Sequence, residues 1–166
     1  MKLLKTISDG EMPETGFETR EAARAVLFDE NGLIPLLFVS EHDYYKLPGG
    51  GIDAGEDAAT ALVREVLEEV GSRIEVAGEV GRIVEFRSRW NLRQTSYCYF
   101  GRIVSKGSPR FTEKEAGQGF KVVWLTLDEA IAVLEKGEPG NYEGGFIRER
   151  DLVFLKESRA KKNKGN

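Results

Sequence analysis

The stretch that decides the fold runs from Leu47 to Ser72, LPGGGIDAGEDAATALVREVLEEVGS. Its first part stops a short extended segment (Tyr44 to Leu47) at Pro48, and Gly49, Gly50 and Gly51 then open backbone angles closed to other residues. Its second part, Asp57 to Val70, has the spacing of an amphipathic helix, with Gly71 as its C-terminal stop. On that helix Ala59, Leu62, Val63, Val66 and Val70 form the anchoring sector. Glu65, Glu68 and Glu69 project beside it from a wedge of about 100°. Glu65 and Glu69 are a like-charge i,i+4 pair, and Glu68 and Glu69 sit where the helix dipole is unfavourable to anions, each effect costing up to about 1 kcal/mol. The pattern is disfavoured for stability alone. A solvated acidic face is one explanation; the other is a cleft wall whose carboxylates, with carbonyls of the glycine loop, bind a hard cation such as Mg²⁺ or Mn²⁺.

Gly50, Glu56, Arg64, Glu65, Val66, Glu68, Glu69 and Gly71 match the pattern G-x5-E-x7-R-E-U-x-E-E-x-G-U, where U is a bulky aliphatic residue, and the segment thereby resembles the Nudix box. The one departure is Ser72 at the last U position, where Ile74 is expected to supply the missing apolar contact. The resemblance implies an α/β fold of the α+β kind, an α/β/α sandwich with a mixed, largely antiparallel central sheet. It also implies an Mg²⁺-dependent hydrolase, with Mn²⁺ as the substitute, that cleaves the pyrophosphate of a nucleoside diphosphate linked to another moiety. Nucleoside triphosphates, ADP-ribose and nucleotide sugars all fall in that class. Carried over by position, Glu65, Glu68 and Glu69 would ligate metal or, for one of them, act as base, the Gly50 carbonyl would be a further metal ligand, and an Arg64–Glu56 ion pair would brace the loop against the helix. Chemically this is coherent, because a diphosphate repels hydroxide until divalent cations neutralise it and generate a nucleophilic water. The same fold without catalysis, as a nucleotide-binding or regulatory module, is the alternative, and an isomerase acting on a diphosphate is a third.

Outward from this segment, 166 residues suit one domain of ordinary size, and a net charge of -4 argues against a nucleic-acid polymer as partner, since that binding needs a surplus of Lys and Arg. Cys98 has no second cysteine with which to form a disulfide, and no run of about 18 apolar residues occurs, so a cytoplasmic setting away from membranes is expected. Residues 1–17 read as an N-terminal arm or edge strand, 18–158 as the domain, and 159–166 as a basic disordered tail. Within the domain, Thr19 to Phe28 and Leu33 to Val39 flank an Asn31-Gly32 turn and are expected to pair as a hairpin. Two long strands, Arg82 to Trp90 and Thr95 to Val104, are expected around a connection at Asn91 to Gln94. A loop from Lys106 to Gly119, a strand from Phe120 to Leu125, a helix from Leu127 to Lys136 capped by Thr126, and a helix from Gly144 to Ser158 complete the order.

Outside the box, Glu115, then Glu113 and Glu143, are candidates for an additional acid, Glu115 being carried as a catalytic candidate. Trp90, Tyr97 and Tyr99 are either core residues or a stacking platform for a base. Arg20, Arg24, Arg87, Arg89 and Arg93 are candidate phosphate clamps or outward-facing strand charges. His42 reads as a surface-turn residue and Cys98 as a small buried one. No Lys-Ser or Lys-Thr follows the glycines, which excludes a P-loop. The identity of the small-molecule substrate and the choice between monomer and homodimer stay open.

Overall fold

A computed structural model describes residues 1–11 and 16–164; the rest of the expected N-terminal arm, 12–15, and the last two residues lie outside the described residues. The element order is β1 (Leu3–Ser8), β2 (Glu18–Phe28), β3 (Ile34–Val39), β4 (Tyr44–Lys46), α1 (Ala58–Glu69), β5 (Arg73–Arg87), β6 (Leu92–Ser105), α2 (Glu113–Gly117), β7 (Phe120–Leu125), α3 (Leu127–Lys136) and α4 (Tyr142–Lys164). The strands form two sheets, β1-β5-β6-β2 and β4-β3-β7. β1 pairs parallel with β5 and β2 parallel with β6, while β5–β6, β3–β4 and β3–β7 are antiparallel. The strand content is therefore mixed with an antiparallel majority, divided between two sheets.

Period-two alternation on β2 explains how helices come to cover both faces. Ala23, Ala25 and Leu27 pack against Ala61, Leu62, Val66 and Val70 of α1. Val26 points the other way, into the cluster that holds Ile34, Leu36, Ile83, Ile131, Leu134, Phe154 and Leu155 from β3, β5, α3 and α4. The result is α1 on one side and α3 with α4 on the other, an α/β/α sandwich.

Three expectations need correction. β2 and β3 do not form a hairpin ladder: β2 pairs with β6, and β3 lies between β4 and β7. The turn between them exists, but Asp29 Oδ1 accepts from both Asn31 N and Leu33 N, at 2.9 and 2.8 Å, which diverts the amides that would start a ladder. β3, buried at nearly every position, takes the centre of its own sheet instead. The second correction is the connection at Asn91 to Gln94, which is shorter: a 3-10 turn at Ser88–Trp90 and a left-handed Asn91, φ 48°, make the reversal, and β6 begins at Leu92. The third is the basic tail, expected to be disordered, which continues α4 as far as Lys164. Lys161 Nζ donates to the carbonyls of Glu79 and Val80 at 2.7 and 2.9 Å, capping the bulged part of β5, and Lys162 lies over the Phe28 ring. Basic side chains here have acceptors and an aromatic face to meet, which composition alone does not reveal.

Ser72 is fully buried, and its hydroxyl finds no hydrogen-bond partner among the described residues. Ile74 packs against the α1 cluster, as expected for the residue replacing the missing aliphatic contact. Because a buried unpaired hydroxyl is destabilising, Ser72→Ala is expected to raise the free energy of unfolding by about 1 kcal/mol, read from urea denaturation.

Candidate active site

The loop between β4 and α1 is sewn to β2 by backbone bonds: Ala23 N donates to Gly50 O, Ala25 N to Pro48 O and Ile52 N to Glu21 O, at 2.9, 3.2 and 3.0 Å. Gly49 has φ +126°, and a Cβ there would collide with the Ala23 carbonyl. At Gly50 a Cβ would occupy the place of the Glu65 carboxylate. Two glycines thus let the loop lie flat on β2 and let an acid from α1 rest directly upon it.

α1 is capped by Asp57, whose side chain accepts from Thr60 N at 2.8 Å, and it presents Glu65 and Glu69 to the loop. Arg64 braces this junction. It reaches Glu56 through Nε and Nη2 at 3.1 and 2.9 Å, Gly51 O through Nη2 at 3.2 Å and Glu65 Oε1 through Nη1 at 2.8 Å. The Glu56 bond raises the Arg64 pKa, and the same bond holds Glu56 below its ordinary value, so the pair stays ionised. The expected Arg64–Glu56 pair is present, bidentate, and extended to Glu65.

Glu69 is buried; Oε1 accepts from Lys46 Nζ and Oε2 from Gly49 N, both at 2.7 Å. Burial pushes its pKa up, with Lys46 and the Gly49 amide opposing. Glu68 lies on the neighbouring flank of the same helix turn. It does not line the cleft, and its carbonyl accepts from Arg110 N at 2.7 Å on the side of the loop before α2. The reason lies in the helix wheel: residues 65 and 69 differ by about 40°, whereas 68 lies about 60° to the other side of 65. Among the described residues no three acids stand together in a ready-made metal cluster.

The cleft has a volume of about 280 Å³. Gly49, Gly50, Glu65 and Glu69 form one wall, and Arg24, Arg87 and Arg150 reach it from β2, β5 and α4. Arg20 and Glu143 also border it, Glu143 Oε1 lying 3.4 Å from Arg87 Nη1. Glu115 borders it as well, but on the short helix α2 rather than on a loop. Its Oε2 accepts from Thr112 N and Thr112 Oγ1 at 2.8 and 2.9 Å, the capping box of that helix. Glu113 does not line the cleft.

Neither do Arg89, which stacks on Tyr142, Arg93, which lies over Phe86, or the aromatic candidates. Trp90 packs edge-on against Tyr142, Tyr97 donates its hydroxyl to Glu21, and Tyr99 packs partly buried against the α1 cluster. His42 lies in a turn beside Glu41, and Cys98 is buried, which pushes its thiol pKa up.

Sequence reasoning missed Lys46, Glu85, Gln94, Arg150 and Asp151. Glu85 Oε1 accepts from Arg87 Nη2 at 2.9 Å and its Oε2 from Gln94 Nε2 at 3.0 Å, while Asp151 accepts from Arg150 Nε at 2.7 Å and from Leu47 N at 2.8 Å. Burial raises the Glu85 pKa, but the charges of Arg150 and Arg87 outweigh it and the net shift is downward. Arg24 is pushed down to about 10, by burial first and by Arg150 next. The available signal was the run Ile83, Glu85, Arg87 on one strand face, where charges among apolar neighbours mark a buried polar layer rather than a solvated one.

A family model described as NUDIX domain matches residues 18–144. Diphosphoinositol polyphosphate phosphohydrolase 2 of Mus musculus is 28% identical over 129 residues, covering 77% of this chain and 69% of that one. A NUDIX hydrolase from Nitrosomonas europaea superposes with a TM-score of 0.62 at 18% identity, over 86% of this chain and 90% of that one. The MutT protein from Methanosarcina mazei Go1 gives 0.62 at 18% identity, over 90% and 99%. A braced acidic helix on a glycine loop, in an α/β/α sandwich matched by the family model across most of its length, makes this chain a member of the NUDIX domain family, an enzyme of the pyrophosphohydrolase type.

Proposed function

We propose that the chain hydrolyses the P–O–P anhydride of a nucleoside diphosphate derivative in the cytoplasm, with Mg²⁺, or Mn²⁺ in its place, as cofactor. The observation that carries the reading is the Glu65 carboxylate held against the Gly50 backbone by Arg64, which is itself anchored on Glu56. The donors fit a hard cation in kind: with Glu65 as base, carboxylate oxygens of Glu69 and, from the neighbouring flank of the same turn, Glu68, with the second lone pair of the Gly50 carbonyl. When bound, such a cation neutralises the diphosphate and acidifies a water molecule. Glu65 Oε2 has no hydrogen-bond donor among the described residues, whereas Oε1 is tied to Arg64. This free oxygen supports Glu65 as the base, taking the proton of the attacking water as the new P–O bond forms and the bridging P–O bond breaks. Arg64 and Glu56 position that carboxylate, and the arginines opposite receive the phosphate charge.

Release of phosphate or pyrophosphate from a panel of nucleoside triphosphates, ADP-ribose and nucleotide sugars, with Mg²⁺, with Mn²⁺ and with EDTA, tests the reading. Turnover with a divalent ion and none with EDTA is the expected result. A folded protein that binds these compounds and cuts none would instead be a nucleotide-binding module on the same fold.

A further inference from the structure

Three buried arginines meet at the floor of the cleft: Arg24 is 6% exposed, Arg87 and Arg150 each 1%. Arg150 donates Nε to Asp151, which leaves both of its terminal nitrogens, Nη1 and Nη2, without a hydrogen-bond acceptor among the described residues. Nη1 lies 3.5 Å from Glu85 Oε2, an ion-pair contact without hydrogen-bond geometry. The Nε groups of Arg24 and Arg87 are unpartnered as well. Glu85 cannot answer them all, because it already accepts from Arg87 and Gln94. Lys46 is paired with Glu69, and Arg87 donates Nη1 to Glu143 at 3.4 Å and Nη2 to Glu85, so the open donors are the terminal nitrogens of Arg150 and the Nε groups of Arg24 and Arg87. Charged donors buried without acceptors are costly, and here they border an open cleft rather than a packed core.

We propose that Arg150, with Arg24 and Arg87, is the receptor for a terminal phosphate of the substrate, and that the enzyme favours anhydrides ending in a free phosphate over those esterified at both ends. The inference rests on the proposed hydrolase reading and names the substrate class within it. A terminal phosphate carries three non-bridging oxygens and close to two charges, which matches the open nitrogens of Arg150, Arg24 and Arg87. A phosphate esterified on both sides has two such oxygens and one charge, and leaves one guanidinium unanswered. Arginine suits the position because its planar fork grips two oxygens at once, which a lysine ammonium cannot do.

The test has two arms. In EDTA, inorganic phosphate and tripolyphosphate are expected to raise the melting temperature of the wild type by about 5–10 °C at concentrations about 100-fold above Kd. Arg150→Lys, which keeps the charge and loses the fork, and Arg150→Met are expected to abolish most of that shift. Should the Met variant fail to fold, the Lys variant carries the comparison. An equal shift from chloride at matched ionic strength, or an undiminished phosphate shift in a folded Arg150 variant, overturns the proposal.

In the second arm, kcat/KM for a nucleoside triphosphate divided by that for a nucleotide sugar is expected to fall about 10- to 100-fold in Arg150→Lys, the change residing in KM for the triphosphate. If both compounds are cleaved and the ratio does not move, the terminal-phosphate receptor is refuted while the hydrolase stands. If neither is cleaved but the Arg150-dependent phosphate shift persists, the receptor stands and the hydrolase reading fails.

Discussion

Glu65→Gln lowers kcat by about 10²–10⁴-fold on whichever anhydride the wild type cleaves, while leaving the fold intact. The amide keeps the shape of the side chain and an oxygen for Arg64 Nη1, so the contact with the loop at Gly50 survives. What it loses is the anionic oxygen that would take the water's proton. The Glu65–Arg64 pair is partly exposed, 16% and 32%, so its contribution to stability is small, about 0.5 kcal/mol or less after solvent screening. A steady-state assay beside a urea melt separates the two effects. Unchanged turnover in a folded Glu65→Gln would remove Glu65 from the chemistry and shift the role to Glu69 or Glu68. Arg64→Lys is the companion variant: it retains a charge near Glu56 but not the two-pronged bond, and a loss of about 10- to 100-fold in activity is expected.

Glu85→Gln is expected to cost about 3–5 kcal/mol of stability at neutral pH, because it leaves Arg87 and Arg150 buried with one negative charge fewer. The pH dependence follows from the sign of the shift. The folded-state pKa of Glu85 lies below the ordinary glutamate value of 4.5, so its ionisation stabilises the native state above that value. That contribution is lost as the pH falls through the folded pKa. The gap between wild type and variant should therefore narrow under acid conditions. Urea denaturation at neutral pH and well below 4.5 measures it. A gap that is constant with pH would mean that Glu85 contributes by hydrogen bonding to Arg87 and Gln94 alone.

Much of the site was legible because it is local. The spacing from Gly50 through Glu56 and Arg64 to Glu69 spans one loop and one helix, so helical geometry sets Glu65 and Glu69 on one face and the short loop turn that holds Glu56 returns it to Arg64. Glu68 shows the limit of that reasoning. A wheel places it within the same wedge, but which edge of the wedge meets the cleft depends on how α1 docks on β2, and the docking brings Glu65 and Glu69, not Glu68, to the cleft lining. Glu115 shows another limit, since Thr112 three residues upstream makes it the second half of a capping box, and the carboxylate is engaged locally before any substrate arrives.

The glycine loop and the braced acidic helix could be read from the chain because their contacts fall within about 25 residues, and the resemblance carried by that segment implied the family and the sandwich class. The division of the strands into two sheets, the continuation of α4 through the basic C-terminal segment and the meeting of Arg24, Arg87 and Arg150 with Glu65 around one cleft depend on packing between distant elements. Those three arginines come from β2, β5 and α4, up to 126 positions apart between residues 24 and 150. The alternation of β5 marks Glu85 and Arg87 as facing the interior, but which charges of β2 and α4 meet them is settled only when the elements pack and the low-dielectric space between them is formed.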